Sequence, residues 1–260
     1  METLPGQTLE AIAYAAELIG QARHIVALTG AGISTPSGIP DFRSEGKGLW
    51  AKDEPLEVAS QTTFRTHPEV FFEWFRPLAS SIFEARPNSA HLALADLEKH
   101  EKLHAVITQN IDILHQKAGA ANVIEMHGTL ATLTCTQCYR KFPHQDFLPA
   151  FLQNGQLPYC SNCSAILKPD VILFGEQLPQ KAWQQAQSEA RKCDLMLVIG
   201  SSLEVLPVAG LPMQAVDRGA HLIIINNSPT YISIRADINI YEDASQIIPA
   251  IAKRVLNHAE

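Results

Sequence analysis

Four of the five cysteines in this 260-residue chain fall in two tight pairs. The pairs are Cys135-x2-Cys138 and Cys160-x2-Cys163, with the 21 residues 139 to 159 between them. Each pair can form a turn, and two such turns close a tetrahedron around Zn2+, as in a zinc ribbon. Four thiolates fill every coordination position and leave no water to activate, so the ion expected here is structural. Cysteines paired in this way point to a reducing compartment and away from a secreted disulfide framework. Cys193 stands apart and reads as buried filler. A second chemistry-bearing stretch is "HIVALTGAG", an apolar run that stops at Gly30-Ala31-Gly32. Such a turn lets backbone N–H groups approach a pyrophosphate, which suggests a dinucleotide; a plain tight turn is the alternative. The full fingerprint asks for glycine or alanine where Thr35 stands, and for an acid at a strand end about 20 residues on. That neighbourhood reads "KGLWAKDEP", so an ordinary dehydrogenase signature fails. Instead a Ser-Gly-Ile-Pro turn delivers Asp41, Phe42 and Arg43: an acid, a flat apolar face and a fixed cation beside the presumed phosphate site. A surface loop with a salt bridge would look the same.

Elements able to position these groups are legible in the hydrophobic pattern. "TLEAIAYAAELIGQA" places Leu9, Ile12, Ala13, Ala16 and Ile19 on one helical stripe, with Thr8 to cap the start and Gly20 to end it. Buried-strand runs recur at "LHAVITQN", "CDLMLVIGSS" and "AHLIIINNS", each after a segment of helical spacing. That alternation predicts an α/β fold, a Rossmann-like parallel sheet with helices on both faces. Two insertions interrupt it: residues 46–85, with the aromatic cluster Phe71 to Phe75, and residues 131–168, which hold the paired cysteines. They are expected to form a small lobe of a helical module and a zinc-binding module. Residues 1–45, 86–130 and 169–260 then make the large nucleotide-binding domain.

Polar residues cluster where these strands end. "TQNID" follows the run "LHAVI", so Gln109, Asn110 and Asp112 should emerge at the carboxyl edge of the sheet, where open parallel sheets bind ligands. A helix start capped by Asn110 or Asp112 is compatible with that. "VIGSS" and "IIINNS" bring Ser201, Ser202, Asn226 and Asn227 to two further strand ends, with hydroxyls and amides suited to ribose and adenine. Either asparagine could then recognise the ribose, the task left open by the missing acid. His127, in "VIEMHG", is an imidazole able to accept a proton near neutral pH. His115 reads as helix packing or capping.

"GAGISTPSGIPDFR" closely resembles the nucleotide-binding loop of the sirtuins, NAD-dependent protein-lysine deacylases. The likeness continues through "TQNIDILH", "EMHGTL", the cysteine pairs, "KPDVILFGE", "GSSLEV" and "INNS", in the family's order and along nearly the whole chain. It implies that NAD is consumed as a co-substrate and that one structural Zn2+ is held by Cys135, Cys138, Cys160 and Cys163. By resemblance, Gly30, Ala31, Ile33, Thr35, Asp41, Phe42 and Arg43 contact the nucleotide, joined by Gln109, Asn110, Ile111 and Asp112 around the nicotinamide. Gly200, Ser201, Ser202, Asn226, Asn227, Ser228 and Ala244 complete the NAD set, and His127 with Asn110 is catalytic. The acyl-lysine peptide is expected between two segments, with Ile172, Phe174, Gly175 and Glu176 on one side and Glu204 and Val205 on the other. Phe174 could equally be simple core. Family members that favour anionic acyl groups carry Tyr-x-x-Arg in the helical insertion; "VFFEWFRPL" lacks it, which favours acetyl or longer aliphatic groups.

The chemistry implied is attack of the acyl carbonyl oxygen on the nicotinamide ribose carbon, loss of nicotinamide, and formation of an alkylamidate. His127 then deprotonates the ribose hydroxyls so that one attacks the amidate carbon, and water completes the transfer to O-acyl-ADP-ribose and free lysine. Protein ADP-ribosyl transfer and a non-catalytic NAD-binding scaffold are the alternatives. A formal charge of -7, with acids and bases mixed along the chain, argues against direct nucleic-acid binding. No apolar run reaches the roughly 18 residues of a membrane span, and "METLPGQTLE" has no signal pattern, so a soluble cytoplasmic protein acting on acyl-lysine proteins is expected. Oligomeric state is not legible.

Overall fold

The computed structural model describes residues 5–41 and 55–257; Phe42 and Arg43 lie outside the described residues. Among those described, the strands in chain order are β1 (Ile25–Thr29), β2 (Ala105–Thr108), β3 (Val123–Glu125), β4 (Gly128–Cys135), β5 (Lys141–Pro143), β6 (Leu167–Val171), β7 (Leu195–Ile199), β8 (His221–Ile225) and β9 (Ile238–Ile240). The helices are α1 (Gly6–Gln21), α2 (Pro55–Val58), α3 (Gln61–Thr66), α4 (Pro68–Glu84), α5 (Ser89–Lys99), α6 (Leu114–Lys117), α7 (Leu148–Asn154), α8 (Gln180–Lys192), α9 (Leu211–Val216) and α10 (Ala244–Asn257).

Six strands form one parallel sheet in the order β3-β2-β1-β7-β8-β9. Alternation within each apolar run feeds two cores. Ile25, Ala27, Leu195, Leu197, Ile199, Ile223 and Ile225 pack toward α1, α5 and α10, while Val26, Leu28, Met196, Val198, Leu222 and Ile224 pack toward α8 and α9. Both faces are covered, which is why these strands read as continuous apolar runs. Each fully buried Ile or Leu contributes roughly 1.5–3 kcal/mol. The three-residue strands β3 and β9, "VIE" and "INI", are too short to announce themselves in the sequence, yet they complete both edges.

The first helix departs from its expected form. It begins at Gly6, with Pro5 at the cap position and no side-chain cap, so Thr8 lies within it; Gly20 is also internal. The entering proline fixes a helix-compatible φ of -56° and its carbonyl accepts from Leu9 N, which starts the helix ahead of the hydroxyl. Leu9 and Ala13 face solvent, and Ala15 and Leu18 take their places on the buried stripe with Ile12, Ala16 and Ile19.

A three-stranded antiparallel sheet, β5-β4-β6, carries the cysteines. A separate aromatic core joins the helical insertion to it: Phe64, Phe71, Phe72 and Phe75 contact one another and Phe151 of α7, around Leu130, Val171 and Leu173. Cys193 is buried in the second core of the parallel sheet, and burial pushes its thiol up to about 12, in keeping with a packing role.

Two imidazoles lie beneath the carboxyl ends of β1 and β2. His115 is 1% exposed with Nε2 2.9 Å from Thr29 Oγ1, and its ring centroid is 4.9 Å from that of His91, which is wholly buried. Burial, and secondarily the neighbouring His91, pushes His115 down to about 3; burial also lowers His91, partly opposed by the nearby Asp112 carboxylate. Both rings are neutral when folded but protonate in the unfolded chain near the ordinary value of 6.5. Stability is therefore complete above that value and is lost as pH falls toward the depressed folded values. Urea unfolding between about pH 7.5 and about pH 5 is expected to lose about 2 kcal/mol per ring, and flat stability over that window would contradict their burial as neutral groups.

Candidate active site

Strands β1 and β7 are adjacent, and chain order runs outward from them in both directions, so a topological switch point lies at their carboxyl ends. There the loop after β1 is pressed against the loop after β7. Gly30 N donates to Ile199 O at 3.1 Å, Gly32 N to Gly200 O at 2.8 Å, and Gly200 N to Ile225 O at 2.9 Å. A Cβ on Gly32 would lie 2.8 Å from Gly200 Cα, and one on Gly200, which sits at φ +59°, would lie 2.3 Å from Ile33 N. These glycines thus serve contact between two backbones, where the sequence suggested approach to a phosphate. The amides of Gly30, Gly32, Ile33 and Ser34 all donate within the protein, so the loop does not offer them as an open phosphate cradle.

Side chains at the β2 end knit to this loop. Asn110 Nδ2 donates to Gly30 O and to Ser34 Oγ, each at 3.1 Å, and Ser34 Oγ donates to Asp112 Oδ2 at 2.6 Å. Asp112 Oδ1 accepts from Leu114 N at 2.9 Å, but the cap position of α6 is Ile113, so Asp112 braces the chain one residue ahead of the cap position it was offered for. Gln109 Nε2 donates to Ser201 Oγ at 2.8 Å, joining the β2 and β7 ends directly.

His127 lies between the two sheets, two residues past β3 and one before β4. Gly128, at φ +78°, makes the turn, and a Cβ there would meet Asp170 O at 2.0 Å. The Nδ1 atom of His127 lies 2.9 Å from Gln109 O. A carbonyl only accepts, so Nδ1 carries the proton and Nε2 holds the basic lone pair. Burial holds this imidazole below its ordinary value, partly opposed by the Gln109 carbonyl, so it is neutral and ready to accept at neutral pH.

His127, Gln109, Asn110 and the glycine turns line one cavity of about 1130 Å3. Its walls include Gly30, Ala31, Asp41, Gln109, Asn110, Ile111, His127, Gly200, Ser201, Ser202, Asn226, Asn227 and Ser228, with Ile172, Phe174, Gly175, Glu176, Glu204 and Val205. Four expected site residues are not on that wall. Ile33 is fully buried, Thr35 bonds Gly32 O, Asp112 lies beneath the wall, and Ala244 is packed into the first core. Phe174 is 39% exposed, which rules out the simple-core alternative. Ser34, Trp74, Leu178 and Trp183 went unremarked in the sequence. Ser34 and Asn88 could have been found as polar residues at a turn and in a Pro-Asn-Ser helix start; Asn88 caps α5 and donates to Ile33 O and Ser37 Oγ.

The ligand atoms of Cys135, Cys138, Cys160 and Cys163 all lie within 4.8 Å of one another, with Sγ separations of 3.4 Å (Cys135–Cys163) and 3.7 Å (Cys138–Cys160). A tetrahedron of Zn–S bonds of about 2.3 Å has edges of about 3.8 Å, so this donor set fits Zn2+. Backbone amides of Gln137 and Cys138 point at Cys135 Sγ, and that of Asn162 at Cys160 Sγ, as suits thiolates.

The family model described as "Sir2 family" matches residues 30–207, spanning the glycine loop, His127 and all four clustered cysteines. This chain is a member of the Sir2 family. It is 44% identical over 242 residues to NAD-dependent protein deacylase 2 of Archaeoglobus fulgidus, covering 93% of this chain and 94% of the relative. A solved structure described by the mechanism and regulation of Sir2 enzymes superposes with a TM-score of 0.88 at 43% identity, covering 96% of this chain and 99% of that one. A Sir2 complex with p53 peptide and NAD+ superposes with a TM-score of 0.81 at 38% identity, covering 94% and 96%. Among the described residues no helix of this Sir2 protein is long and apolar enough to cross a membrane.

Because the Sir2 crevice depends on the Gly32–Gly200 contact, Gly200→Ala is expected to cost roughly 2–5 kcal/mol from strained φ and overpacking, read by urea unfolding, and to abolish NAD binding. Wild-type stability and NAD affinity in that variant would refute the constraint.

Proposed function

We propose that this chain is an NAD-dependent protein-lysine deacylase that cleaves NAD, releases nicotinamide and moves an aliphatic acyl group from lysine to ADP-ribose. The observation that carries this reading is the tautomer of His127. With Nδ1–H committed to Gln109 O, a neutral imidazole presents a basic Nε2 within the cavity. A group so placed can take the proton from a ribose hydroxyl as that oxygen attacks the acyl carbon. The p53 peptide and NAD+ bound by the structural relative support the same pair of substrates here.

Asn110 is proposed to orient the nicotinamide end. Its amide is fixed by Gly30 O and Ser34 Oγ, so its carbonyl oxygen has a defined direction without rotamer freedom to lose. Ser201, Asn226 and Asn227 supply uncharged partners for the sugar and adenine from the neighbouring strand ends. Phe42 and Arg43 keep the roles implied by the family likeness, shielding and positioning the ribose. The lysine tunnel is assigned to Ile111, Ile172 and Phe174, beside apolar Phe71, Phe75 and Leu78. Charged residues on the described wall are Asp41, Glu176 and Glu204, all acidic, so nothing there neutralises an anionic acyl group and an aliphatic one is favoured.

Residues 131–168 and the helical insertion are read as a small lobe that closes this cleft. Zn2+ on the four cysteines would hold the antiparallel sheet together, supplying structure and no chemistry, because four thiolates saturate it. Acyl transfer is tested by mass spectrometry of an acetyl-lysine peptide incubated with NAD. Loss of the acetyl mass with O-acyl-ADP-ribose formed is the expected result; gain of ADP-ribose on the peptide, or no change, would replace this reading by the transferase or scaffold alternatives. His127→Ala is expected to keep its fold and lose roughly 10²–10⁴-fold in turnover, the usual weight of a general base.

A further inference from the structure

Glu176 was expected to flank the peptide, but its carboxylate is committed inside the protein. Oε2 accepts from Leu173 N at 2.9 Å and lies 3.0 Å from Lys168 Nζ; the two side chains are only 17% and 21% exposed. The same ammonium donates to Val171 O at 2.7 Å and Pro169 O at 3.3 Å. Residues 168 to 176 are thereby closed into a clip, with Gly175 at φ +89° turning the chain so that Glu176 N returns to Leu173 O at 3.0 Å.

Inside this clip lies the segment that walls the cavity next to His127. It leaves β6 and is tied to the rest of the fold by single backbone bonds. Ile172 N donates to His127 O at 2.8 Å, Phe174 N to Ala59 O at 3.0 Å, and Gln61 N to Phe174 O at 2.9 Å. No continuous strand ladder fixes its depth, so the clip must. At its other end Lys168 pairs across β4 with Thr134, next to Leu167 opposite Cys135, which fastens the clip to the cysteine module. An ion pair of this burial adds little net stability against its desolvation, but it sets one arrangement of the backbone it bonds.

We propose that Lys168 and Glu176 are positioning residues for the acyl-lysine substrate. They hold Ile172 to Phe174 at the depth and angle where the lysine meets NAD, and contribute no group to the reaction. The inference rests on the deacylase reading above. A merely structural pair would affect both substrates alike, whereas a pair that sets one wall affects the peptide alone.

The test uses zinc-loaded, full-length protein with an acetyl-lysine peptide and NAD, comparing wild type with Lys168→Met, Glu176→Gln, the double variant and Lys168→Arg. The peptide KM is expected to rise roughly 10- to 100-fold in either single variant, the weight of a lost charge-assisted hydrogen bond. The NAD KM should stay within about twofold. The double variant should be no worse than the worse single one, and Lys168→Arg should recover most of the loss. Glu176→Gln keeps volume and an acceptor for Leu173 N, so it carries the test if Lys168→Met fails to fold. Folded variants with unchanged peptide KM, or with peptide and NAD KM moving together, would overturn the proposal. A wild type that leaves the peptide intact would instead defeat the deacylase reading.

Discussion

The site depends on a contact between two backbones. The turn after β1 and the turn after β7 touch through Gly30, Gly32 and Gly200, close enough that a single added methyl on Gly200 would fall 2.3 Å from the amide nitrogen of Ile33. At a topological switch point the two adjacent strands send their chains to opposite faces. Here the two loops touch, and the residues just past β2 tie to them, Gln109 to Ser201 and Asn110 to Gly30. The result is a floor made of strand ends, with hydroxyls and amides facing one crevice and the Asp112 carboxylate bracing it from beneath.

Upon that floor the His127 imidazole, proposed above as the base, is placed by a joint between two sheets. β3 brings the chain along the parallel sheet, Gly128 turns it, and β4 carries it into the cysteine-bearing sheet. His127 belongs to the joint itself: its ring is tethered to the β2 end through Gln109 O, and its carbonyl accepts from the segment after β6 through Ile172 N. The floor of strand ends, the imidazole and the wall at residues 172–174 are therefore linked within a few bonds. The four sulfurs cluster at the far end of the same pairing, where Cys135 of β4 stands opposite Leu167 of β6.

Much of this was legible in the sequence because the features are local. Apolar runs gave the central strands, Cys-x2-Cys spacing gave the metal cluster, and polar strand ends gave the crevice. What was not legible depends on partners distant in the chain. Gly200 and Gly32 look like ordinary turn glycines until the two loops meet. Glu176 is placed beside the peptide by the family likeness, and its ion pair with Lys168, eight residues back, becomes visible only in the fold. Asp112 and Ile33 carry the family pattern but lie behind the wall, because Ser34 and Leu114 take the carboxylate and Asn88 takes the Ile33 carbonyl. The first helix starts ahead of Thr8 for a smaller reason: Pro5, three residues earlier, is already a sufficient beginning.

In the proposed deacylase, one neutral imidazole, fixed through Nδ1 to the end of β2, faces the ribose with Nε2 while NAD and acyl-lysine occupy the same cleft. A crystal structure of the protein with NAD and an acetyl-lysine peptide tests this directly. His127 Nε2 is expected at about 2.6–3.2 Å from a nicotinamide-ribose hydroxyl, with Nδ1 still on Gln109 O. A ring turned off that carbonyl, or a ribose bound out of reach of it, would rule His127 out as the base.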